Sequence, residues 1–337
     1  MASLWRGSAR FIAGAFNAFT NGLTSSMPAG GKDKNVDMLI GGQAVIEGVM
    51  MRSLTGYSVA VRQPDGGVAI RKDKLVSITT KYPFLKTPVL RGSVVLIQSL
   101  ILGMRALNYS ASVSSAGEDG EPEMSNWAIV GSMAMAMVLG VGLFILAPLG
   151  LTNLIRHYLL PEMGNFTYNA IDGVIRAIFF FVYIASISLM EDIRRVFQYH
   201  GAEHKTVYTF EANEELTVEN ARKKSTLHPR CGTSFLMFVM AISILVFSLI
   251  PSTAPFALKF GARVVLIPLI AGLAYEIIRF SARHLSNPVC KVLIRPGMWL
   301  QRITTKEPDD KQLEIALIAL KEALLYDAVE PEQAAVA

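Results

Sequence analysis

The chain has 337 residues and a formal net charge of +5; hydrophobic residues make up 52% and charged residues 18%, and mean hydropathy is +0.39. That balance is too apolar for an ordinary soluble domain and excludes one as the whole description. The positive excess needs no nucleic acid, because loops that face anionic lipid carry it by themselves.

Residues 1–37 open the chain. Arginines and an apolar stretch broken by Asn17 and Asn21 predict an amphipathic interfacial helix rather than a signal peptide, and 24–37 reads as a linker. Residues 38–80 alternate in polarity and favour β-branched side chains, with the turn signal PDGG at 64–67, so a small cytoplasmic β element is expected there. Within 81–125, the apolar run 88–108 is bracketed by Arg91 and Arg105 and interrupted by Gln98. It reads as an amphipathic or re-entrant helix packed on the membrane surface or the bundle, followed by an acidic loop over 110–125.

Residues 126–282 hold four runs near the roughly 20 residues that a bilayer core needs: 127–155, 171–190, 234–250 and 260–282. Residues 191–233 form a polar loop between the second and third runs. Residues 283–337 read as a cytoplasmic helical tail, with Leu313, Leu317, Leu320 and Leu324 on one stripe and 327–337 frayed. The fold class is mainly α, a polytopic membrane protein with about four transmembrane helices and a small β element. Lys and Arg concentrate in 1–125, 191–233 and beyond 283, with one each in 156–170 and 251–259. Both termini and the central loop are therefore expected in the cytoplasm of a cell-membrane protein. The two cysteines, Cys231 and Cys290, then face a reducing compartment, where a disulfide is not expected.

The chemistry concentrates in the central loop. In "YHGAEHKTV", His200 and His204 stand four apart, on one face of a helix, with Glu203 beside them. H-x-x-E-H is the reversed zincin order, in which two imidazoles hold zinc and the carboxylate acts as base. "HPRC" adds His228 and Cys231 as further candidate ligands. Four protein ligands would make a closed structural site, and three would leave a reactive position; the sequence leaves both open, and a loop whose His and Cys only pack is the third alternative. Glu276, inside the fourth run, is expensive to bury and is a second candidate catalytic group, with Arg279 and Tyr275 as possible partners. Glu47 in "GGQAVIEGVMMR" has apolar neighbours; a strand would place it on one face with Val45 and Val49, where it would need a partner, for which Arg52 and the loop histidines are candidates.

Together "GGQAVIEGVMMRS", "YHGAEHKTV", "HPRCGTSFL", "LIPLIAGLAYEIIRFS" and "PGMWLQRITTKEPDD", in this order over about 38–325, resemble the YqhQ-like family of bacterial membrane proteins. The resemblance implies a domain of unknown function, with metal-dependent enzyme activity as an expectation and no substrate. From these readings the first expectation is a membrane-embedded, metal-dependent hydrolase, with zinc the expected divalent metal. It would work at the cytoplasmic face on a lipid-linked molecule or a membrane peptide. The alternatives are a non-enzymatic scaffold or assembly factor stapled by a structural zinc and, less favoured, an ion or metal transporter.

Overall fold

The computed structural model describes residues 40–53, 55–75, 82–115, 126–229, 231–284 and 287–336, without side chains at 126–130, 133, 282–283 and 327–336. The expected N-terminal helix and linker, and residues 116–125 of the acidic loop, lie outside these residues.

Four antiparallel strands form one sheet in sequence order: β1 (Gly41–Val45), β2 (Gly48–Arg52), β3 (Gly56–Arg62) and β4 (Val68–Lys74). The pairing Val45↔Gly48 leaves only Ile46 and Glu47 in the first hairpin loop. Glu47 takes a left-handed backbone, φ 53°, so it occupies a turn. The expectation that Glu47 shares a strand face with Val45 and Val49 is corrected by this loop. The PDGG segment does form the β3–β4 turn, with Gly66 at φ 89°.

Alternation along β2 and β3 serves two cores at once. Val49, Met51 and Ala60 pack with Tyr199, Ala202, Leu313 and Leu320. From the opposite face Met50, Val59 and Val61 pack with Leu102 and Ala106. The sheet is thus clamped between helices on both sides, and its central strands are buried up to their last residues, Arg52 and Arg62.

The helices follow in chain order: α1 (Leu90–Ser115), α2 (Asn126–Val141), a π turn (Gly142–Leu146) leading into α3 (Ala147–Tyr158), and α4 (Asn165–Ile187). The polar loop supplies α5 (Glu191–Glu211) and the short α6 (Val218–Arg222). Then come α7 (Thr233–Phe247), α8 (Phe256–Arg283), α9 (Pro288–Thr304) and α10 (Asp310–Val336). The tail expected to fray over 327–337 continues as helix to Val336.

Four helical stretches are long and apolar enough to cross a membrane: 90–115, 134–158, 165–187 and 256–281. Two boundaries differ from the sequence reading. The run 88–108 qualifies by length and composition because Gln98 and Arg105 do not interrupt the helix, and Arg91 at its start is paired with Glu276. The run 234–250 condenses to the 15-residue α7, about 22 Å long at 1.5 Å per residue.

α5 carries the site. Glu191 and Asp192 in its first turn suit the positive end of the helix dipole. Asn213, at φ 53°, follows its C-terminus in the left-handed conformation that ends helices. Between them, Tyr199 to Val207 is almost entirely buried against the sheet and α10.

Candidate metal centre

His200 and His204 project from α5 with ring centroids 4.5 Å apart. His200 Nδ1 lies 2.8 Å from the Thr304 carbonyl at the end of α9. His204 Nδ1 meets the Thr226 carbonyl of the loop that follows α6. A carbonyl only accepts, so Nδ1 is the protonated nitrogen in each neutral ring and Nε2 offers its lone pair. Both lone pairs turn toward one sulfur. His200 Nε2 is 3.3 Å from Cys231 Sγ, and the three donor atoms of His200, His204 and Cys231 lie within 4.8 Å of one another.

Three features make this donor set fit a divalent metal. His204 is 2% exposed, yet its Nε2 has no hydrogen-bond partner among the described residues; a buried polar atom of this kind calls for one. Each imidazole passes its other N–H to a backbone carbonyl, the arrangement that orients ligating histidines. Cys231 precedes α7 and its sulfur is 3.4 Å from the Thr233 N–H and 3.2 Å from Thr233 Oγ1, donors that suit a thiolate. Two nitrogens and a sulfur are the ligand types that zinc takes.

The other expected ligand stands apart. His228 is beside His204, centroids 5.7 Å apart, but its Nε2 is 3.2 Å from Glu211 Oε2. Its backbone is clamped by the fully buried Gln301, which accepts from the His228 N–H at 2.8 Å and donates to its carbonyl at 2.9 Å. Gln301 thereby ties the HPRC loop to α9, which already holds His200.

Glu203 faces the edge strand. Its Oε1 accepts from the Gly42 N–H at 3.0 Å. Burial pushes its carboxyl above the ordinary carboxylate range, against the opposing pull of His200 and the Gly42 N–H. Burial likewise pushes the His204 imidazole below its ordinary value, opposed by Cys231. Glycine is required at 42, because a Cβ there would stand 2.6 Å from the Met50 carbonyl oxygen and 2.9 Å from Glu203 Cγ. A cavity of about 390 Å³ is lined by Gly42, His200, Glu203, His204, His228 and Cys231 among others, within the size range of small-ligand sites.

The remaining candidates are placed elsewhere. Glu47 is gripped by Arg195, with Nη2 2.6 Å from Oε2, and receives the Tyr199 hydroxyl at 3.3 Å. Its partners are therefore not Arg52 or the histidines. Arg52 ends β2, in register with Gly41 and Tyr57. Glu276 pairs with Arg91 of α1, Nε to Oε1 2.6 Å, rather than with Arg279. None of Glu47, Arg52, Glu276 and Arg279 lines the cavity. The sequence reading did not single out Gln301 or the Thr226 and Thr304 carbonyls. Gln301 falls on the inward face of amphipathic α9, a signal readable as packing only; backbone acceptors leave no mark in a sequence.

Over residues 87–325 the chain matches the family described as "Protein of unknown function (DUF1385)". It is similar to the "Uncharacterized protein YqhQ" of Bacillus subtilis (strain 168), at 35% identity over 309 residues, covering 87% of this chain and 94% of that protein. No solved structure matches. Neither description assigns an activity or a metal, so the metal reading rests on the donor geometry.

Proposed function

The chain belongs to the DUF1385 family, and we propose that it is a membrane-embedded, metal-dependent hydrolase whose site opens at the cytoplasmic membrane face. His200, His204 and Cys231 hold the metal, zinc by donor type. Glu203 serves as base, and the substrate is a lipid-linked molecule or a membrane peptide. One observation carries this reading: among the described residues three donors converge beside a cavity that Glu203 lines. His228, the residue that would close the set, is directed to Glu211. A divalent cation held by such a set supplies Lewis-acid activation of water and of a carbonyl or phosphoryl oxygen. The chain's own part is to fix the imidazole tautomers through Thr226 and Thr304, to hold Glu203 against Gly42, and to enclose the site between β1 and α5.

A second reading has its own support. Glu47 and Glu276 are spent on ion pairs away from the cavity, and the three donors link α5 to the segment before α7. A metal there staples the fold of a scaffold protein. The two readings part at Glu203. Metal content of the purified chain is expected near one equivalent, falling about tenfold or more in His204→Ala and Cys231→Ser. Glu203→Gln is expected to keep the metal and the fold while failing to complement a deletion strain. Full complementation by Glu203→Gln would sink the hydrolase and leave the staple. Wild-type protein without bound metal would sink both.

A further inference from the structure

The end of the helix bundle formed by the α3–α4 and α7–α8 connections carries a charge imbalance that neither reading uses. Arg263 of α8 donates to Asp172 of α4 at 2.8 Å, and Arg176 reaches the other oxygen at 2.8 Å. Both members of the first pair are 2% exposed. Nearer the helix ends, the buried Lys259 donates to Asn153 and Tyr168, each at 3.1 Å, and Arg156 donates to the Ser252 carbonyl. Of these four cations Arg176 and Arg263 contact the one buried carboxylate and lie over Phe247 at 5.1 and 5.2 Å, while Lys259 and Arg156 lie over Tyr168 at 4.4 and 5.9 Å; Nε of both Arg176 and Arg263 is buried without a hydrogen-bond partner among the described residues. The other carboxylate of this region, Glu162, is exposed in the α3–α4 loop. At 1.5 Å per residue Arg263 and Asp172 are each about 10 Å along their helices from this end. Cations in excess of carboxylates at such depth in a membrane segment are a functional-site signal.

The surroundings have the shape of one class of ligand. A cavity of about 280 Å³ is lined by Asn153, Arg156, His157 and Pro161. An apolar groove of about 330 Å³ runs between α3 and α4 and includes Ile155, Phe166, Ala170, Ile171 and Val174. The two share the last turn of α3, where Arg156 lines one and Ile155 the other. A cationic, hydrogen-bonding pocket beside an apolar groove matches a headgroup with an acyl chain. We propose that this end of the bundle binds an anionic phospholipid, its phosphate at Arg156, His157 and Asn153 and one acyl chain along the α3–α4 groove. The groove favours a lipid over a free phosphate ion, which would leave it empty.

Native mass spectrometry of the full chain, released from nanodiscs of mixed phosphatidylglycerol and phosphatidylcholine, tests this. Wild type is expected to retain one phosphatidylglycerol at least fivefold over phosphatidylcholine. Arg156→Gln, a half-buried change, is expected to abolish that preference. Ala170→Phe, which fills the groove and leaves the cations intact, is expected to lose the lipid altogether. Lys72→Gln, on exposed β4, should change nothing. In lipid-free detergent, inorganic phosphate is expected to raise the melting temperature far less than phosphatidylglycerol. Stabilisation of wild type by phosphate as large as that by phosphatidylglycerol, with Ala170→Phe stabilised equally by both, would overturn the lipid assignment in favour of a free anion. Retention of both lipids without preference in wild type, or unchanged preference in Arg156→Gln, would overturn the site. Metal content is a separate readout, so loss of the lipid does not touch the metal proposal.

Discussion

At the scale of single residues, two glycines separate two jobs that the site must do. Gly201, between the histidines on α5, lies against the chain that follows α9: a Cβ there would stand 2.1 Å from the Lys306 carbonyl oxygen. The Lys306 N–H also donates to the Phe197 carbonyl at 2.9 Å, so α5 and residues 304–306 are joined at two points. Gly201→Ala should force them apart, at about 1–3 kcal/mol for overpacking, and withdraw the Thr304 carbonyl from His200. Lower thermal stability together with lost metal is the expected result. Gly42→Ala presses instead on Met50 and Glu203. It should keep most of the metal while complementation falls, because Glu203 is displaced and the His/Cys donors are not. Loss of metal in step with complementation in Gly42→Ala would show that Glu203 does not act separately from the donors. The HxxEH spacing made the imidazole pair legible in the sequence. What could not be read was which further residue joins it, since Cys231 and His228 are three apart in one loop and tertiary contacts, the Gln301 clamp, Glu211 and Thr233 among them, decide their directions.

At the scale of elements, the packing of α1 on α8 explains Glu276. Gly92 and Gly272 allow the backbones to touch: a Cβ on Gly92 would lie 2.9 Å from the Gly272 Cα. Beside that contact Arg91 meets Glu276, which is 3% exposed. Removing one member of such a pair leaves an uncompensated buried charge and costs about 3–5 kcal/mol, whereas replacing both with apolar groups is close to neutral. Glu276→Leu and Arg91→Leu should each lower the yield of folded protein, and the double variant should regain both yield and complementation. A double variant that folds yet stays inactive would instead return Glu276 to the chemistry. The sequence marked Glu276 as costly without revealing its partner, because Arg91 is remote in the chain and Arg279 is one turn away. The small sheet was legible for a local reason: strand alternation and PDGG act over a few residues. Glu47 was misread as a strand residue because a two-residue loop can be set by a left-handed backbone at a residue other than glycine.

At the scale of the whole molecule, contacts decide which helices cross. The sheet, α5 and α10 share one core and so lie on one side of the membrane. α4 arrives at that side, since α5 follows it after a short turn. α7 ends where Ser252 meets Arg156 and Asn165 at the other side, and α8 returns to α9, whose Thr304 holds His200. We therefore propose that α7 crosses in spite of its 15 residues. α1 does the reverse. Its first turn lies deep, with Ser93 Oγ donating to the Pro268 carbonyl at 2.7 Å, and Pro268 is 15 residues, or about 22 Å, before the end of α8. Some 13 residues later, about 20 Å along, Ala106 is packed on the sheet. From these contacts we propose that α1 dips and returns, although length and composition alone would let it cross. Val89, a β-branched residue at φ 70° just before it, is the strained reversal such a path needs. From the Lys and Arg distribution we propose that the sheet side faces the cytoplasm. Single cysteines treated with a membrane-impermeant maleimide check the arrangement, the two native thiols being buried. Glu162→Cys and Thr253→Cys should label in intact cells. Asp65→Cys, Ser115→Cys and Glu219→Cys should label only after lysis. If Asp65→Cys and Ser115→Cys label from opposite sides, α1 crosses and the dip is wrong; if all five patterns invert together, the dip stands and the orientation falls.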